Sequence, residues 1–215
     1  MANSNNFAGQ GDSKNPPSSA DPAGATGGGW SSPPNVTADD GSTSNSPVLA
    51  SNAYSRYIYG YQFGHNVPAG ATIDGIEVLI DRVAGGLYND YEVKLSNGVI
   101  PTYTASKTAD IGSSWNSNFG VATYGGPTDT WGRTWTVSEV NDTWFRASLS
   151  VQCQTTNIAQ SASIDYIKTI VYYTEAGGGG GGGPDFNIKI GGQSISRIMM
   201  GNQPVDRVNF GSTQI

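Results

Sequence analysis

The feature that most constrains the fold is a period-two alternation of apolar and polar residues over residues 145–154. Its apolar positions are Phe145, Ala147, Leu149, Val151 and Cys153, and the residues between them are Arg, Ser and Gln. Successive side chains of an extended strand point to opposite faces. The pattern therefore predicts an antiparallel strand with one face packed on a core and the other face toward solvent.

Similar alternation recurs through residues 30–176, at 57–63, 76–80 and 91–95, and no helical periodicity interrupts it. Residues 164–173 are apolar on nearly both faces, which predicts a central or covered strand. Turn residues such as Pro-Ala-Gly and Ser-Asn-Gly separate the strands. We expect an all-β chain without a helix, whose main domain is an antiparallel jelly-roll-like β-sandwich over residues 30–176.

Residues 1–29 are rich in Asn, Ser, Gly, Pro and Ala and contain almost no large apolar side chain. Such a composition cannot bury enough apolar surface to offset the entropy lost on ordering. The sequence therefore predicts an amino-terminal arm that is flexible or becomes ordered on a partner.

The carboxy-terminal residues repeat with a period of ten after a run of seven glycines at 177–183. We interpret residues 177–184 as a linker and 185–215 as a small β-meander, because Gly-Gly and Gly-Asn pairs favour hairpin turns. So few short hairpins are not stable alone, which predicts assembly or docking. The apolar positions expected to carry it are Ile188, Ile190, Ile195, Ile198, Met200, Val205, Val208, Phe210 and Ile215.

Charge and hydropathy exclude several classes of partner. The formal net charge is −6, from 11 basic and 17 acidic residues, and the basic residues do not cluster. Phosphate recognition needs clustered Lys and Arg, so nucleic acid is not an expected partner. No apolar run approaches the length of a membrane span, and the amino terminus does not have the pattern of a signal peptide. We expect neither membrane insertion nor export by a signal peptide.

Several motifs together carry a resemblance that spans about residues 30–173. They are Asp39-Asp40-Gly41, VPAGATIDGIEV at 67–78, YGGPTDTWG at 124–132 and DYIKTIVYY at 165–173. This set resembles a β-sandwich module frequent in structural proteins of tailed bacteriophages. The terminal repeat is similar to carboxy-terminal segments of phage minor tail and fibre proteins.

The resemblance implies an accessory virion protein that acts through assembly contacts and not through catalysis. It implies a tail or fibre location, with capsid decoration as the alternative. Its partners would be other virion proteins and copies of itself, with a homotrimer as the expected state. One sandwich and one short repeat leave no room for a long fibre shaft or a peptidoglycan hydrolase.

Candidate catalytic residues are few. The single histidine, His65, has no recognisable nucleophile motif near it, and Cys153 occupies a core position, which is not the exposed, electropositive setting of a reactive thiol. Carboxylate pairs such as Asp129 with Glu139, or Glu77 with Asp81, are conceivable for a glycosidase. Acidic residues are ordinary on the solvent side of a strand, so we expect no enzyme and no cofactor.

Asp39-Asp40-Gly41 has oxygen ligands of the kind that calcium prefers. A turn stabilised by aspartate side chains explains the same residues more simply. We therefore assign no metal site from the sequence.

Trp131, Trp135 and Tyr124, with Trp144, form the one aromatic group that could stack on a sugar. Large aromatic residues more often fill the core of a sandwich. The sequence thus leaves two alternatives for these residues, a host-glycan site and core packing. A carbohydrate-binding module is accordingly a further alternative function.

Overall fold

The computed structural model describes residues 1–13, 25, 29–85, 88–98, 101–108, 114–154 and 160–176. Beyond them it describes the backbone of 188–190, 193–195, 199–200 and 203–204. The chain forms two compact units, Met1–Ala176 and Gly177–Ile215.

The first unit is built almost entirely of strands. In chain order its elements are β1 (Ala2–Phe7), β2 (Gln10–Asp12), a 3₁₀ turn (Pro33–Val36), β3 (Ser44–Asn45), β4 (Ile58–Tyr61), β5 (Thr72–Val83), β6 (Tyr88–Asn97), β7 (Thr102–Tyr103), β8 (Gly120–Gly125), α1 (Val137–Asn141), β9 (Arg146–Cys153) and β10 (Ser163–Thr174).

These strands form two antiparallel sheets. The first has the order β1-β10-β5-β8, with β3 also paired to β10, and the second has the order β2-β4-β9-β6-β7. With β2 set aside, this is the order of two interlocked Greek keys, the jelly-roll arrangement. The predicted all-β sandwich is confirmed.

The sandwich core lies between the sheets and comes from the apolar positions of the alternating strands. In β9, Ala147, Leu149 and Val151 are all buried, as the period-two pattern predicts. The intervening Arg146, Ser148 and Ser150 are buried as well, so the prediction that the other face of this strand is turned to solvent is wrong. Strand β10 lies between β1 and β5, and its residues Ile164 and Ile167 are fully buried. The expectation of a central position for this segment is confirmed.

The amino-terminal segment differs from the sequence prediction. Strand β1 pairs with β10 from Ala2 opposite Tyr173 to Phe7 opposite Lys168, and β2 pairs with β4. Residues 1–13 therefore belong to the sandwich, and the predicted arm is wrong for them. The physical reason is that an edge strand is held mainly by backbone hydrogen bonds, so a polar sequence can serve. Residues 14–24 and 26–28 lie outside the described residues.

The short helix α1 also departs from the expectation of a chain without helix. Its N-cap, Thr136, accepts a hydrogen bond from the Glu139 backbone N–H, while Glu139 accepts from the Thr136 N–H at 2.9 Å. This reciprocal capping box satisfies two amide groups at the helix start. The Thr-x-x-Glu spacing was a usable sequence signal for it.

The second unit contains β11 (Ile188–Ile190), β12 (Gln193–Ile195), β13 (Met199–Met200) and β14 (Gln203–Pro204). β11 pairs antiparallel with β12, and β13 pairs antiparallel with β14. Each pair is a hairpin whose two strands are separated by two residues. Of the predicted assembly positions, Ile188, Ile190, Ile195 and Met200 lie on these strands. The linker at 177–184 lies outside the described residues. So do the other predicted assembly positions, which are Ile198, Val205, Val208, Phe210 and Ile215.

Candidate functional sites

The aromatic residues proposed from sequence for glycan stacking are core residues. Trp131, Trp135 and Tyr124 are 2%, 3% and 2% exposed. Their polar atoms are bound inside the fold: the Trp131 Nε1 donates to the Ile76 carbonyl at 2.8 Å, and the Tyr124 hydroxyl donates to Asp90 at 3.1 Å. Stacking on a sugar needs an exposed ring face, so core packing is the correct alternative for these residues.

His65 is buried and holds β1 to β10. Its Nδ1 lies 3.0 Å from the Ser4 hydroxyl and its Nε2 lies 2.7 Å from the Thr169 hydroxyl. Burial lowers the pKa of His65 to about 4, so the ring is neutral at neutral pH. Cys153 is buried as well. Both residues have the surroundings of structural side chains.

The carboxylates considered for glycoside hydrolysis are each engaged in a structural contact. Asp129 pairs with Lys107 at 2.6 Å, and Glu139 pairs with Arg133 while it caps α1. Glu77 accepts a hydrogen bond from the Tyr172 hydroxyl at 2.6 Å. Asp81, the fourth of these residues, belongs to a different group, which is described below.

The outward face of the second sheet carries an aromatic–arginine patch, formed by Tyr59, Tyr61, Trp144, Arg146 and Ser148. Trp144 is 39% exposed, and its ring is parallel to that of Tyr61, with centroids 5.7 Å apart. The Arg146 guanidinium lies 4.9 Å from the Trp144 ring centroid and 5.4 Å from that of Tyr59. Strand register places Arg146 opposite Tyr61, and Ser148 opposite Tyr59.

Polar atoms beneath this patch have unused hydrogen-bonding capacity. The Nε and Nη1 of Arg146 and the Oγ of Ser148 are buried without a partner. Leaving buried donors unsatisfied is costly, more so for a charged group. Arg146 and Ser148 are each only 1% exposed, so these donors lie inside the protein, and the indole of Trp144 is the part of the patch that could stack on a sugar. The sequence signal was the pair of alternating motifs Tyr59-x-Tyr61 and Trp144-x-Arg146, which face the same way in neighbouring strands.

A second group lies on the outward face of the first sheet. The carboxylate cluster consists of Asp39, Asp81 and Asp165, and one oxygen from each lies within 4.8 Å of the other two. Asp81 is on β5, Asp165 is on β10, and Asp39 is in the loop before β3. The three residues are distant in sequence, and only the fold brings them together.

A β-bulge positions Asp165. The pairing of β10 with β5 runs from Ile164 opposite Arg82 to Ile167 opposite Ile80. Asp165 and Tyr166 together therefore face the single residue Asp81. Bulges of this kind redirect a side chain and are frequent beside functional sites.

The loop that carries Asp39 is fixed to β10 at both ends. Thr37 bridges to Tyr166, and Ser44 pairs with Ile164. Within the loop, the Ser42 N–H donates to the Asp40 Oδ1 at 2.8 Å, which is the aspartate-stabilised turn expected from sequence.

The cluster concentrates negative charge without a positive counterpart. Asp165 is only 4% exposed; its Oδ2 accepts from the Gly41 N–H at 3.2 Å. Its Oδ1 and the Oδ1 of Asp81 are buried without a hydrogen-bond partner. Among the described residues, no lysine or arginine forms a salt bridge with any of the three carboxylates.

Burial and mutual repulsion disfavour the charged forms. Burial is the largest cause that raises the pKa of Asp81, followed by the charges of Asp165 and Asp39. Burial also raises the pKa of Asp165, against the opposing effect of the Gly41 and Asp40 backbone amides. A bound cation would relieve both effects.

Comparison of the sequence with protein-family models finds no match, and a search of curated proteins finds no relative. Among the described residues, the helices are too short or too polar to cross a membrane.

Proposed function

We propose that the protein is an accessory structural component of a bacteriophage particle, associated with the tail or fibre, which acts through assembly contacts. The observation that carries the assembly role is the second unit, with its two short hairpins of two- and three-residue strands. The assignment to a bacteriophage particle is supported by the resemblance of the sequence motifs and of the terminal repeat. Hairpins of this size are at best marginally stable in water. The unit therefore functions by docking on copies of itself or on another virion protein.

The contacts of the first unit support a role without catalysis. His65 is bound between two hydroxyl groups in the interior, and Asp129 and Glu139 are bound to Lys107 and Arg133. These side chains stabilise the sandwich, which serves as a rigid body that carries the docking unit.

The test is the light-scattering mass of the full chain beside a version that ends at Ala176. The shorter version keeps both sheets of the first unit. We expect the full chain to be an oligomer, with a trimer as the favoured state, and the truncated chain to be a monomer. The same oligomer in both versions would place the interface on the sandwich and contradict the assembly role of the repeat.

A full-length variant separates the docking unit from mere chain length. Ile188 lies directly opposite Ile195 in the first hairpin, so Ile188→Asp with Ile195→Asp places like charges face to face. This double variant should be monomeric. Ser194→Asp, at the neighbouring position of β12, is the control and should keep the mass of the unaltered chain.

Capsid decoration is the alternative location, and the same experiment bears on it. If the full chain and the truncated chain are both monomers, the docking unit awaits a different virion protein. Labelling of intact particles with an antibody to the sandwich then decides the location, because tail association predicts label on the tail alone.

The aromatic–arginine patch favours a second candidate function, the binding of a host surface glycan. The exposed Trp144 ring, stacked parallel to Tyr61, supports this function, at a place different from the one that sequence suggested. Glycan-array binding should be lost with Trp144→Ala and kept with Phe119→Ala, since Phe119 is also exposed, at 48%. Equal binding by both variants, or no binding by the unaltered chain, would contradict this function.

A further inference from the structure

We propose that Asp39, Asp81 and Asp165 bind a divalent cation with a preference for oxygen ligands, Ca²⁺ above others. The cation would fasten the loop over residues 37–43 to the first sheet. This inference is independent of the assembly function, because it rests on the carboxylate cluster alone.

Two carboxylate oxygens of the cluster have no hydrogen-bond partner. Asp165 is only 4% exposed, and its Oδ1 has no hydrogen-bond partner. The Oδ1 of Asp81 is also buried without a hydrogen-bond partner. A buried carboxylate oxygen normally accepts a hydrogen bond or binds a metal, because burying it unpaired costs free energy. These two oxygens belong to residues that face one another across the bulge of β10.

The oxygens of the three carboxylates are close enough together to share one ion. Oxygen ligands lie about 2.3–2.6 Å from a bound Ca²⁺, so two ligands of one ion are at most about 5 Å apart. One oxygen from each of the three carboxylates lies within 4.8 Å of the others. The three groups can thus share one ion with small adjustments.

The basic residue next to the cluster in sequence does not neutralise its negative charge. Arg82, next to Asp81 in sequence, pairs with Asp90 at 2.7 Å. Because successive side chains of a strand point to opposite faces, Arg82 is directed away from the cluster. Within the described part of the chain, the cluster obtains no positive charge from a side chain through a salt bridge.

The ligand set indicates which cation binds. All three side chains are carboxylates, which suit hard cations, whereas zinc and copper sites usually include His or Cys. Mg²⁺ is usually held by one or two carboxylates and demands near-ideal octahedral geometry, while Ca²⁺ accepts more carboxylates in variable geometry. Three carboxylates from a loop and two strands therefore fit Ca²⁺ better.

The consequence of binding is mechanical. The ion would join the loop to β5 and β10 at a point where the loop now reaches the Asp165 carboxylate through the backbone amides of Gly41 and Asp40. Since the ion binds the folded chain, it raises the stability of the sandwich by mass action.

The experiment uses the full chain, stripped with a chelator and titrated calorimetrically with CaCl₂. We expect one ion per chain and a weaker response to MgCl₂. At a calcium concentration about 100 times the dissociation constant, the midpoint of thermal unfolding should rise by roughly 5–10 °C. Terbium luminescence excited through Tyr166, which adjoins Asp165 in the bulge, provides an independent readout of occupancy.

Variants locate the site. Asp165→Asn should weaken binding at least about tenfold, because it removes a charged ligand. Asp39→Asn, in the surface loop, should do the same without a risk to folding. The matched control is Asp74→Asn, which removes the same charge. Asp74 lies on β5, as Asp81 does, and is about 23 Å from Asp81 at about 3.3 Å per residue. It should bind calcium within about twofold of the unaltered chain.

Two results would overturn the proposal. One is the lack of heat, thermal shift and terbium signal from the unaltered chain at about 10 mM calcium, above the range of weak extracellular sites. The other is an equal loss of binding in Asp74→Asn and Asp39→Asn, which would mean general charge screening.

Discussion

Asp90 and the carboxylate cluster are two acidic sites built on the same part of the sandwich, with opposite degrees of completeness. Asp90 receives hydrogen bonds from the Arg82 Nη1 at 2.7 Å, the Trp115 Nε1 at 2.9 Å and the Tyr124 hydroxyl at 3.1 Å. Asp81 precedes Arg82 on β5, yet its Oδ1 is buried without a partner. Two adjacent residues of one strand thus serve two sites on opposite faces.

The difference shows how to tell a structural charge from a binding group. Both sites are negatively charged, but Asp90 is buried, whereas the cluster extends from the buried Asp165 through the partly buried Asp81 to the exposed Asp39. The chain itself completes the surroundings of Asp90 with a cation and two neutral donors, so that site stabilises the fold. The cluster has three carboxylates whose oxygens lie within 4.8 Å of one another and no side-chain cation among its described salt bridges, and we propose that a bound cation completes it.

The largest expected effect comes from breaking the complete site. Arg82→Met should lower the free energy of unfolding by about 3–5 kcal/mol, because it leaves the buried Asp90 carboxylate without its cation. Urea unfolding measures this change. Arg133→Met is the matched control, since the Arg133–Glu139 pair is 30% and 25% exposed and should contribute at most about 1 kcal/mol. Equal losses in the two variants would mean that the interior pair has no special role.

His65 adds a third buried titratable group to this comparison, one that the fold favours only in its neutral form. Burial lowers its pKa to about 4 from 6.5, so the unfolded chain binds the proton more strongly. Its contribution to stability is therefore full above pH 6.5 and declines as the pH falls toward 4. Between pH 7 and pH 5 the loss amounts to about 2 kcal/mol.

The measurement is urea unfolding of the unaltered chain and of His65→Gln across this pH range. The stability difference between them should change by the stated amount, because the carboxylates titrate alike in both. A pH-independent difference would show that folding does not lower the pKa of His65, and would contradict this prediction.

The smallest effect has the opposite sign and concerns the incomplete site. In chelator at neutral pH, Asp81→Asn should be as stable as the unaltered chain or more stable, by no more than about 2 °C in unfolding midpoint. The folded pKa of Asp81 is raised, so its charged form costs stability once the pH exceeds that value. Differential scanning calorimetry tests this. With calcium present the order should reverse, and a destabilised variant in chelator would contradict the account.

Sequence patterns predicted the sandwich because a half-buried strand leaves a direct mark. The alternation of Ala147, Leu149 and Val151 specifies the strand and its core face, although the pattern did not reveal that the polar face with Arg146 and Ser148 is also buried. The polar strand β1 leaves no such mark, since its pairing with β10 uses backbone groups that every residue has. A composition rich in Asn and Ser thus concealed the first strand of the jelly roll.

The sites were less predictable than the fold because they depend on long-range register. Asp39 was recognised as a candidate ligand, but nothing in the sequence places it beside Asp81 and Asp165. The bulge that turns Asp165 toward Asp81 appears only when β10 and β5 are paired. Aromatic residues misled for a related reason: Trp131 and Trp144 look alike in sequence, yet one is 2% exposed and the other 39%.

The most direct test of the central claim is a crystal structure of the full chain grown with calcium, with data collected where calcium scatters anomalously. The account predicts one anomalous peak about 2.3–2.6 Å from a carboxylate oxygen of each of Asp39, Asp81 and Asp165. A cluster without a peak, its carboxylates hydrogen-bonded to one another through shared protons, would contradict the claim that a cation completes this site.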